Sequence, residues 1–484
     1  MSNPINKTKV ISSLFWKLME RGGTQGIQFI VQIILARLLL PEDFGAIAIV
    51  MVFISLAQVF VHSGLNTALI QSKDVDDVDF SSVFYLSLFV AALLYILIYF
   101  TAFFTADFYR DPILIPVLRV LALTLFFGAF NSIQNAYISR NMMFKKLFYS
   151  SVGAILISGT TGIIAAYMGF GVWALVIQQL INQISITIIM WFTVKWRPKL
   201  IFSIKRVTKL FSFGWKLLAS SLLNALYVDI RTLIIGRFYT PSVLGYYNRG
   251  QQFPKVIVSN ISGSIQSVML PTLSANQDNT KRVKEMMRRA IKTSSFMIFP
   301  MMIGMAVVAE PLVKIVLTDK WLPAVPFLQI FCASYALMPI HTANLQAINA
   351  LGRSDIFLRL EIIKKIIGLI ILVISLQFGV YAIALGQVIS GIISTFINAY
   401  PNKELLFYSY KEQWIDIMPS LLLSIVMGSI VYLFNFLYLQ AWKILFLQVA
   451  LGAIFYIGLS KVLKVENLNY LIATIKEFAN LRKN

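Results

Sequence analysis

Long stretches of this chain carry no charged side chain. Residues 147–194 form a run of 48 residues without Asp, Glu, Lys or Arg, and residues 366–402 form another such run. A membrane-spanning helix needs about 20 apolar residues, so each of these runs has room for two spans. Charged residues make up 13% of the 484-residue chain, which is about half the share found in soluble proteins. The sequence therefore predicts a polytopic membrane protein of the all-α class.

The charge-free runs predict about fourteen transmembrane helices. Gly169 and Gly171 divide the run of 48 residues into two spans, and Gly379 divides the second run in the same way. A first helix near 12–38 and a seventh helix near 212–237 are less apolar but have the required length. The remaining spans come from the charge-free runs 44–72, 80–106, 120–139, 256–277, 293–309, 321–352, 417–442 and 444–460.

The basic residues predict how the helices are oriented. The net charge is +21, from 42 Lys and Arg against 21 Asp and Glu. If the N-terminus is cytoplasmic, most of the basic residues fall on the inner loops, so both termini are predicted to be cytoplasmic. Residues 465–484 have apolar side chains at helical spacing, which is typical of an amphipathic helix on the inner membrane surface. Nucleic acid is not an expected partner, because no soluble domain is predicted to present a basic face.

The chain contains an internal repeat. The matching residues occur in the same order in both repeat units, and each unit holds six predicted helices. An even number of helices gives both units the same orientation, which is the parallel repeat of many secondary transporters. We therefore predict an N-terminal six-helix lobe in 1–200, a C-terminal six-helix lobe in 201–410, helices 13 and 14 in 411–464, and a cytoplasmic tail in 465–484. The matching pairs include Arg37 with Arg237, Pro41 with Pro241, Gly45 with Gly245, Asn131 with Asn344, and Phe170 with Phe378.

Two segments near the N-terminus resemble a known family. Residues 35–45, LARLLLPEDFG, and residues 64–71, GLNTALIQ, are similar to the first outer-loop region of Wzx-type polysaccharide flippases. The resemblance covers nearly the whole chain, and the superfamily also contains the lipid II flippase and the multidrug and toxin exporters. Within the family, the chain is most similar to the branch associated with colanic acid and teichuronic acid export.

This resemblance implies a transporter rather than an enzyme. The expected function is flipping of an undecaprenyl-pyrophosphate-linked oligosaccharide across the cytoplasmic membrane of a bacterium, by alternating access, for the synthesis of a surface polysaccharide such as a lipopolysaccharide or exopolysaccharide. The expected partners are this lipid-linked substrate, membrane lipids, and glycan polymerases or glycosyltransferases. Two alternatives stay open: a multidrug or toxin antiporter of the same fold, and a non-transporting scaffold for glycan enzymes.

Five ionisable residues fall inside the predicted spans, where a charge costs about 2.5–3.5 kcal/mol on insertion scales. The four cations, Arg21, Arg231, Arg249 and Lys255, are predicted to bind substrate. Each lacks a charged counterpart in the other repeat, so no common structural role of the repeat requires it. Guanidinium groups bond phosphate oxygens bidentately, and lysine adds a point charge. The alternative is that a side chain such as Arg21 snorkels to the headgroups.

The fifth residue, Asp229, is predicted to form an intramembrane ion pair with Lys255. Helices 7 and 8 are joined by a short hairpin, and the two residues lie at similar distances from it, about 12 Å and 15 Å along the helices. On helix 6, the amides of Gln179 and Asn182 are candidates for binding sugar. Hydrogen bonding between helices is an equally good explanation of these amides.

Few residues are available for a metal site or for covalent chemistry. The chain has one cysteine, Cys332, and two histidines, His62 and His341, which argues against a disulfide framework or a His-based metal centre. It also lacks the glycine-rich GxxxxGK[ST] motif of ATP-binding proteins. We therefore expect no cofactor and no metal.

Overall fold

The computed structural model describes residues 7–62, 64–72, 75–437 and 439–481, and every regular element in these ranges is helical. Short 3-10 turns at Asp319–Ala324, Leu376–Phe378 and Leu433–Phe436 join some of the helices. The α-helices are α1 (Lys7–Leu38), α2 (Pro41–His62), α3 (Leu65–Gln71), α4 (Asp77–Tyr109), α5 (Leu114–Leu121), α6 (Thr124–Arg140), α7 (Phe144–Tyr167), α8 (Val172–Thr193), α9 (Ile204–Phe238), α10 (Pro241–Ser274), α11 (Thr280–Val307), α12 (Ala309–Val316), α13 (Val325–Ala336), α14 (Met338–Ala350), α15 (Ser354–Ser375), α16 (Val380–Leu405), α17 (Tyr410–Tyr432), α18 (Ala441–Val462) and α19 (Glu466–Leu481).

Twelve helical stretches of the described chain are long and apolar enough to cross a membrane, so the protein is a multi-pass membrane protein. These stretches match twelve of the fourteen predicted spans. The first and the eleventh predicted spans correspond to α1 and α15. These two helices are 32 and 22 residues long, which is sufficient to span a bilayer. α15 differs from the twelve stretches because four charged residues, Arg359, Glu361, Lys364 and Lys365, lie within it. The all-α membrane fold is confirmed, and the count of fourteen spans stays a prediction.

Glycine ends the helices where the sequence predicted a break. α7 ends at Tyr167 and α8 begins at Val172, with Gly169 and Gly171 between them at φ angles of 80° and 53°. Gly379, at a φ of 94°, precedes α16 in the same way. Only glycine adopts such angles at no steric cost, so both predicted divisions are confirmed.

An acidic loop fixes the start of α4 and contacts the first turn of α9. The Asp76 carboxylate accepts hydrogen bonds from the backbone N–H groups of Val78 and Asp79, and the Asp79 carboxylate accepts one from the backbone N–H of Asp76. Arg206 lies 3.3 Å from a carboxylate oxygen of each aspartate. The N–H of Asp79 and the charge of Arg206 hold the pKa of Asp76 below its usual value.

The chain forms two compact units, with the boundary between Gly245 and Tyr246, inside α10. In the first unit, α7 packs against α1 and α8, and α2 packs against α9. In the second unit, α11 packs against α17, and α15 packs against α16. The regions proposed from the repeat, 1–200, 201–410, 411–464 and 465–484, are defined by sequence similarity rather than by compactness, and they stay predictions.

The repeated Pro-Gly segments meet each other in the first unit. A Cβ added to Gly45 would lie 1.8 Å from the carbonyl oxygen of Pro241. Reciprocally, a Cβ added to Gly245 would lie 2.1 Å from the carbonyl oxygen of Pro41. Glycine is therefore required at both positions for the starts of α2 and α10 to approach this closely.

Candidate substrate-binding site

Helix α1 presents a polar stripe that includes Arg21. The side chains of Arg21, Gln25, Gln28 and Gln32 are spaced by four, three and four residues, so they share one face of the helix. Arg21 is exposed, whereas the three glutamines are partly buried. The carbonyl oxygen of the Gln25 side chain is a buried acceptor without a hydrogen-bond partner among the described residues. A polar surface of this kind is costly in a hydrocarbon environment and is suited to a polar ligand.

Arg231 is buried within the first unit. Its side chain is 8% exposed, and its guanidinium lies 5.7 Å from the centre of the Tyr227 ring, one turn earlier on α9. The ion pairs of the described chain do not include Arg231. A buried guanidinium held by an aromatic ring rather than by a carboxylate keeps its charge available to an anionic ligand.

Asp229 lies on the same helix and contacts α2. Its Oδ2 accepts a hydrogen bond from the Ser55 hydroxyl at 3.2 Å. Asp229 belongs to the first unit and Lys255 to the second, and the predicted ion pair between them stays a prediction.

The two predicted cations of α10 differ in their surroundings. Arg249 is 5% exposed, donates a hydrogen bond to the side chain of Gln252, and lies 5.3 Å from the ring centre of the fully buried Trp321. Lys255, six residues further along α10, is exposed. The helix therefore presents one buried cation that contacts neighbouring side chains and one exposed cation.

The amides of α8 mostly bond to neighbouring helices. Asn182 donates to the hydroxyl of Ser158 on α7 at 3.1 Å, and Gln183 accepts from Asn131 on α6 at 3.3 Å. These contacts fit the interhelical explanation for Asn182. Gln179 is partly buried. Sugar binding by Gln179 and Asn182 stays a prediction.

The second unit contains an apolar cavity that the sequence did not predict. Its volume is about 520 Å³, and its walls come from α10, α11, α12, α17 and α18. Its lining is aliphatic and sulfur-containing apart from Gln448 and Tyr456, and includes Met301, Met305 and Met427. Methionine adapts to irregular apolar ligands, so such a cavity suits a hydrocarbon chain.

A partly buried ion pair that the sequence analysis missed holds α11 to α17. Arg288 donates to both carboxylate oxygens of Asp416, from Nε at 2.5 Å and from Nη2 at 2.7 Å. The hydroxyl of Tyr408 donates to the same carboxylate at 2.8 Å, and Lys292 lies 3.5 Å from it. The cluster is structural, because every charge in it is paired within the protein.

The C-terminal helix α19 packs against the same region of α11. The Arg289 guanidinium lies 3.8 Å from the ring centre of Tyr470, and Lys292 pairs with Glu466 at 3.5 Å. These contacts place the start of the predicted amphipathic tail beside the basic segment of α11.

The family model for "polysaccharide biosynthesis protein" matches residues 34–326, which is more than half of the chain. The chain belongs to this family. The resemblance to Wzx-type polysaccharide flippases that the sequence indicated is confirmed.

Family relatives match along most of their length. The lipopolysaccharide biosynthesis protein WzxC of Escherichia coli (strain K12) is 23% identical over 440 residues, which cover 88% of each chain. The teichuronic acid biosynthesis protein TuaB of Bacillus subtilis (strain 168) is 26% identical over 416 residues, covering 83% of this chain and 85% of the relative. The lipid II flippase MurJ in an inward closed conformation has a similar structure, with a TM-score of 0.76 and 17% identity over 93% of this chain and 98% of MurJ. At this identity, the likeness to MurJ shows a shared fold.

Proposed function

We propose that this protein flips a lipid-linked oligosaccharide across the cytoplasmic membrane for the synthesis of a surface polysaccharide. Its family and the names of its relatives support this function. The observation that carries the proposal is Arg231, a buried cation on a membrane-spanning helix that is not held by a carboxylate of the described chain. Such a charge is costly unless the protein uses it, and an anionic cargo is the use that fits.

The headgroup of the substrate would be an undecaprenyl pyrophosphate carrying the sugars. Its negative charges would be bound by Arg21, Arg231, Arg249 and Lys255 as they cross the low-dielectric layer. Arginine bonds two phosphate oxygens at once, which fixes the orientation of the headgroup, and Lys255 adds a point charge. The glutamines of α1 and Gln179 of α8 would bond the sugar hydroxyls.

Part of the lipid tail would occupy the apolar cavity of the second unit while the rest stays in the bilayer. The cavity is bounded by membrane-spanning helices and is lined mainly by aliphatic side chains and methionines. An isoprenoid chain buries apolar surface there at about 25 cal/mol per Å². Binding the headgroup and the lipid tail at separate places requires no covalent step, so the proposed role is transport and not catalysis.

Transport would proceed by alternating access. The reciprocal contact of the two Pro-Gly segments closes the starts of α2 and α10 against each other, and these would separate when that side opens. Both termini would be cytoplasmic, because this orientation places most of the basic residues on the inner side. Cysteine reporters at Phe170 and Phe378 should then react with a reagent added outside, and reporters at Lys205 and Lys284 only after permeabilisation. Outside labelling at Lys205 would overturn this orientation.

The proposal is tested by gene deletion with complementation in the native host. Cells without the protein should lose surface glycan and accumulate the lipid-linked oligosaccharide on the inner leaflet. Arg231→Glu should fail to restore export while reaching the normal protein level. Lys443→Glu makes the same change of charge at an exposed residue and should restore export. Full export with Arg231→Glu would mean that the pyrophosphate is not bound through Arg231, and drug sensitivity without loss of glycan would indicate a multidrug antiporter.

A further inference from the structure

The imidazole of His341 lies in a buried polar cluster between α14 and α16. Its Nδ1 is 3.1 Å from the amide nitrogen of Asn398, and its Nε2 is 3.5 Å from the hydroxyl oxygen of Thr395. Asn398 is 1% exposed and Thr395 is 4% exposed, whereas His341 itself is partly buried. Both residues lie in the charge-free part of α16, inside a membrane-spanning helix.

The neighbours of His341 select one neutral tautomer. An amide nitrogen can only donate, so the lone pair of Nδ1 accepts from Asn398. The hydroxyl of Thr395 donates its one proton to the carbonyl oxygen of Gly391 at 3.0 Å, so its oxygen is left to accept from Nε2. The proton of the neutral ring therefore resides on Nε2.

The same cluster contains an acceptor for a second proton. The side-chain oxygen of Asn398 is buried and has no hydrogen-bond partner among the described residues. A half-turn of the amide exchanges its nitrogen and oxygen, which brings this oxygen to Nδ1. The doubly protonated ring then donates to Asn398 through Nδ1 and to Thr395 through Nε2. A single amide rotation thus accommodates either charge state of His341.

The elements around α14 bring few charges to the ring. α13 carries no Asp, Glu, Lys or Arg and contributes only Cys332 and Tyr335 as titratable groups, and α16 has its charges at its C-terminal end. Lys364 on α15 is the cation whose field reaches the ring, and it pairs with Glu361 one turn earlier. Arg288 and Lys292 on α11 are ion-paired with Asp416 on α17.

A small cavity gives the proton a place to enter. It has a volume of about 10 Å³, room for about one water molecule, and Thr395, Tyr410 and Gln413 are among its lining residues. Tyr410 is exposed at the start of α17. A water molecule here would contact Thr395, which itself bonds the ring.

We propose that His341 is a reversible proton-binding site of the second unit, with Asn398 as the residue that stabilises the bound proton. The proton adds to the lone pair of Nδ1, Nε2 keeps its own proton, and no other bond forms or breaks. The backbone carbonyl of Asn398 accepts from Asn402, which is linked through Asn344 to Gln413 on α17, by hydrogen bonds of 2.8–3.5 Å. Rotation of the Asn398 side chain on protonation of His341 reorganises the hydrogen bond that joins α14 to α16. On the basis of the proposed function, this site couples flipping to a proton gradient.

The proton site is tested by nuclear magnetic resonance of the full chain with 15N-labelled histidine in lipid nanodiscs. The chain has two histidines, so His62→Gln leaves His341 as the single reporter. We expect a neutral ring protonated on Nε2 at high pH, which takes up a second proton reversibly as the pH is lowered. Asn398→Leu removes the acceptor, so the doubly protonated ring should not form at the pH where it forms in the His62→Gln protein. A ring protonated on Nδ1 when neutral, or a ring that never titrates while the protein stays folded, would overturn the proposal.

Coupling is tested separately, in proteoliposomes that contain a fluorescent pyrophosphate-linked oligosaccharide. An imposed pH gradient should accelerate flipping by the parent protein about tenfold, and His62→Gln should behave in the same way. His341→Gln should flip at the gradient-independent rate and ignore the gradient. Flipping that never responds to the gradient would overturn the coupling but leave the proposed function intact. Absence of any flipping would remove the proposed function, and the resonance titration would still decide whether His341 binds a proton.

Discussion

The hydroxyl of Ser55 donates a hydrogen bond to the carboxylate of Asp229, with Oγ and Oδ2 3.2 Å apart. Ser55 lies on α2 and Asp229 on α9, so the bond joins two membrane-spanning helices. In the internal repeat, the position of Ser55 corresponds to that of Lys255. Asp229 on α9 is therefore hydrogen-bonded by the neutral side chain of Ser55 on α2. The corresponding position in the other repeat is the cation Lys255.

Replacement of Ser55 should weaken the contact between α2 and α9. Ser55→Ala removes the donor to a partly buried carboxylate, and we expect a loss of about 1–2 kcal/mol in the free energy of unfolding. The measurement is thermal unfolding of the purified protein in detergent. Ser267→Ala is the control, because that exposed hydroxyl bonds only to its own helix, at Ser264. Equal unfolding temperatures for both variants would mean that the bond to Asp229 contributes nothing.

The predicted ion pair of Asp229 and Lys255 is tested by a double-mutant cycle. Asp229→Asn and Lys255→Met should each lower the amount of folded protein, because each leaves the charge of its partner uncompensated within a membrane-spanning helix. The double variant should recover most of the loss. Fluorescence-detected size exclusion measures the folded fraction. If the double variant loses as much folded protein as the two single variants together, the residues are not paired. Lys255 would then be the foremost candidate for binding substrate.

The close approach at Gly45 predicts a strong effect of one methyl group. Gly45→Ala places a Cβ 1.8 Å from the carbonyl oxygen of Pro241, so the starts of α2 and α10 must separate. We expect a loss of about 1–3 kcal/mol in stability, which is typical of overpacking. In Gly22→Ala, the new Cβ meets no atom within 4 Å, and a glycine in mid-helix is replaced by a better helix former. Gly22→Ala should therefore be neutral or stabilising, and a Gly45→Ala protein as stable as Gly22→Ala would contradict the contact.

The helices of this protein could be predicted from sequence because the signals are local. A charge-free run of sufficient length is a span, and Gly169, Gly171 and Gly379 mark the breaks between runs. The first and eleventh spans are harder to recognise, because α1 carries the polar stripe around Arg21 and α15 carries clustered charges. The polar side chains of α1 and the charges of α15 keep both helices out of the twelve stretches that are recognised as spans.

The contacts of the site were less predictable because they depend on packing between distant segments. Asp416 pairs with Arg288 across 128 residues of sequence, and no spacing rule connects them. The hydrogen bond from Asn182 to Ser158 likewise joins two helices. One signal was available: Asn344, at the centre of the buried amide network, matches Asn131 in the internal repeat, and both take part in interhelical hydrogen bonds.

Flipping by the purified protein tests the account most directly. In proteoliposomes loaded with a fluorescent undecaprenyl-pyrophosphate-linked oligosaccharide, a membrane-impermeant reagent that destroys the fluorophore reports how much substrate is in the outer leaflet. The parent protein should make the inner-leaflet pool accessible, Arg231→Glu should slow this by at least about a hundredfold, and Lys443→Glu should match the parent. If the parent protein leaves the inner pool as protected as protein-free vesicles do, the proposed function is wrong.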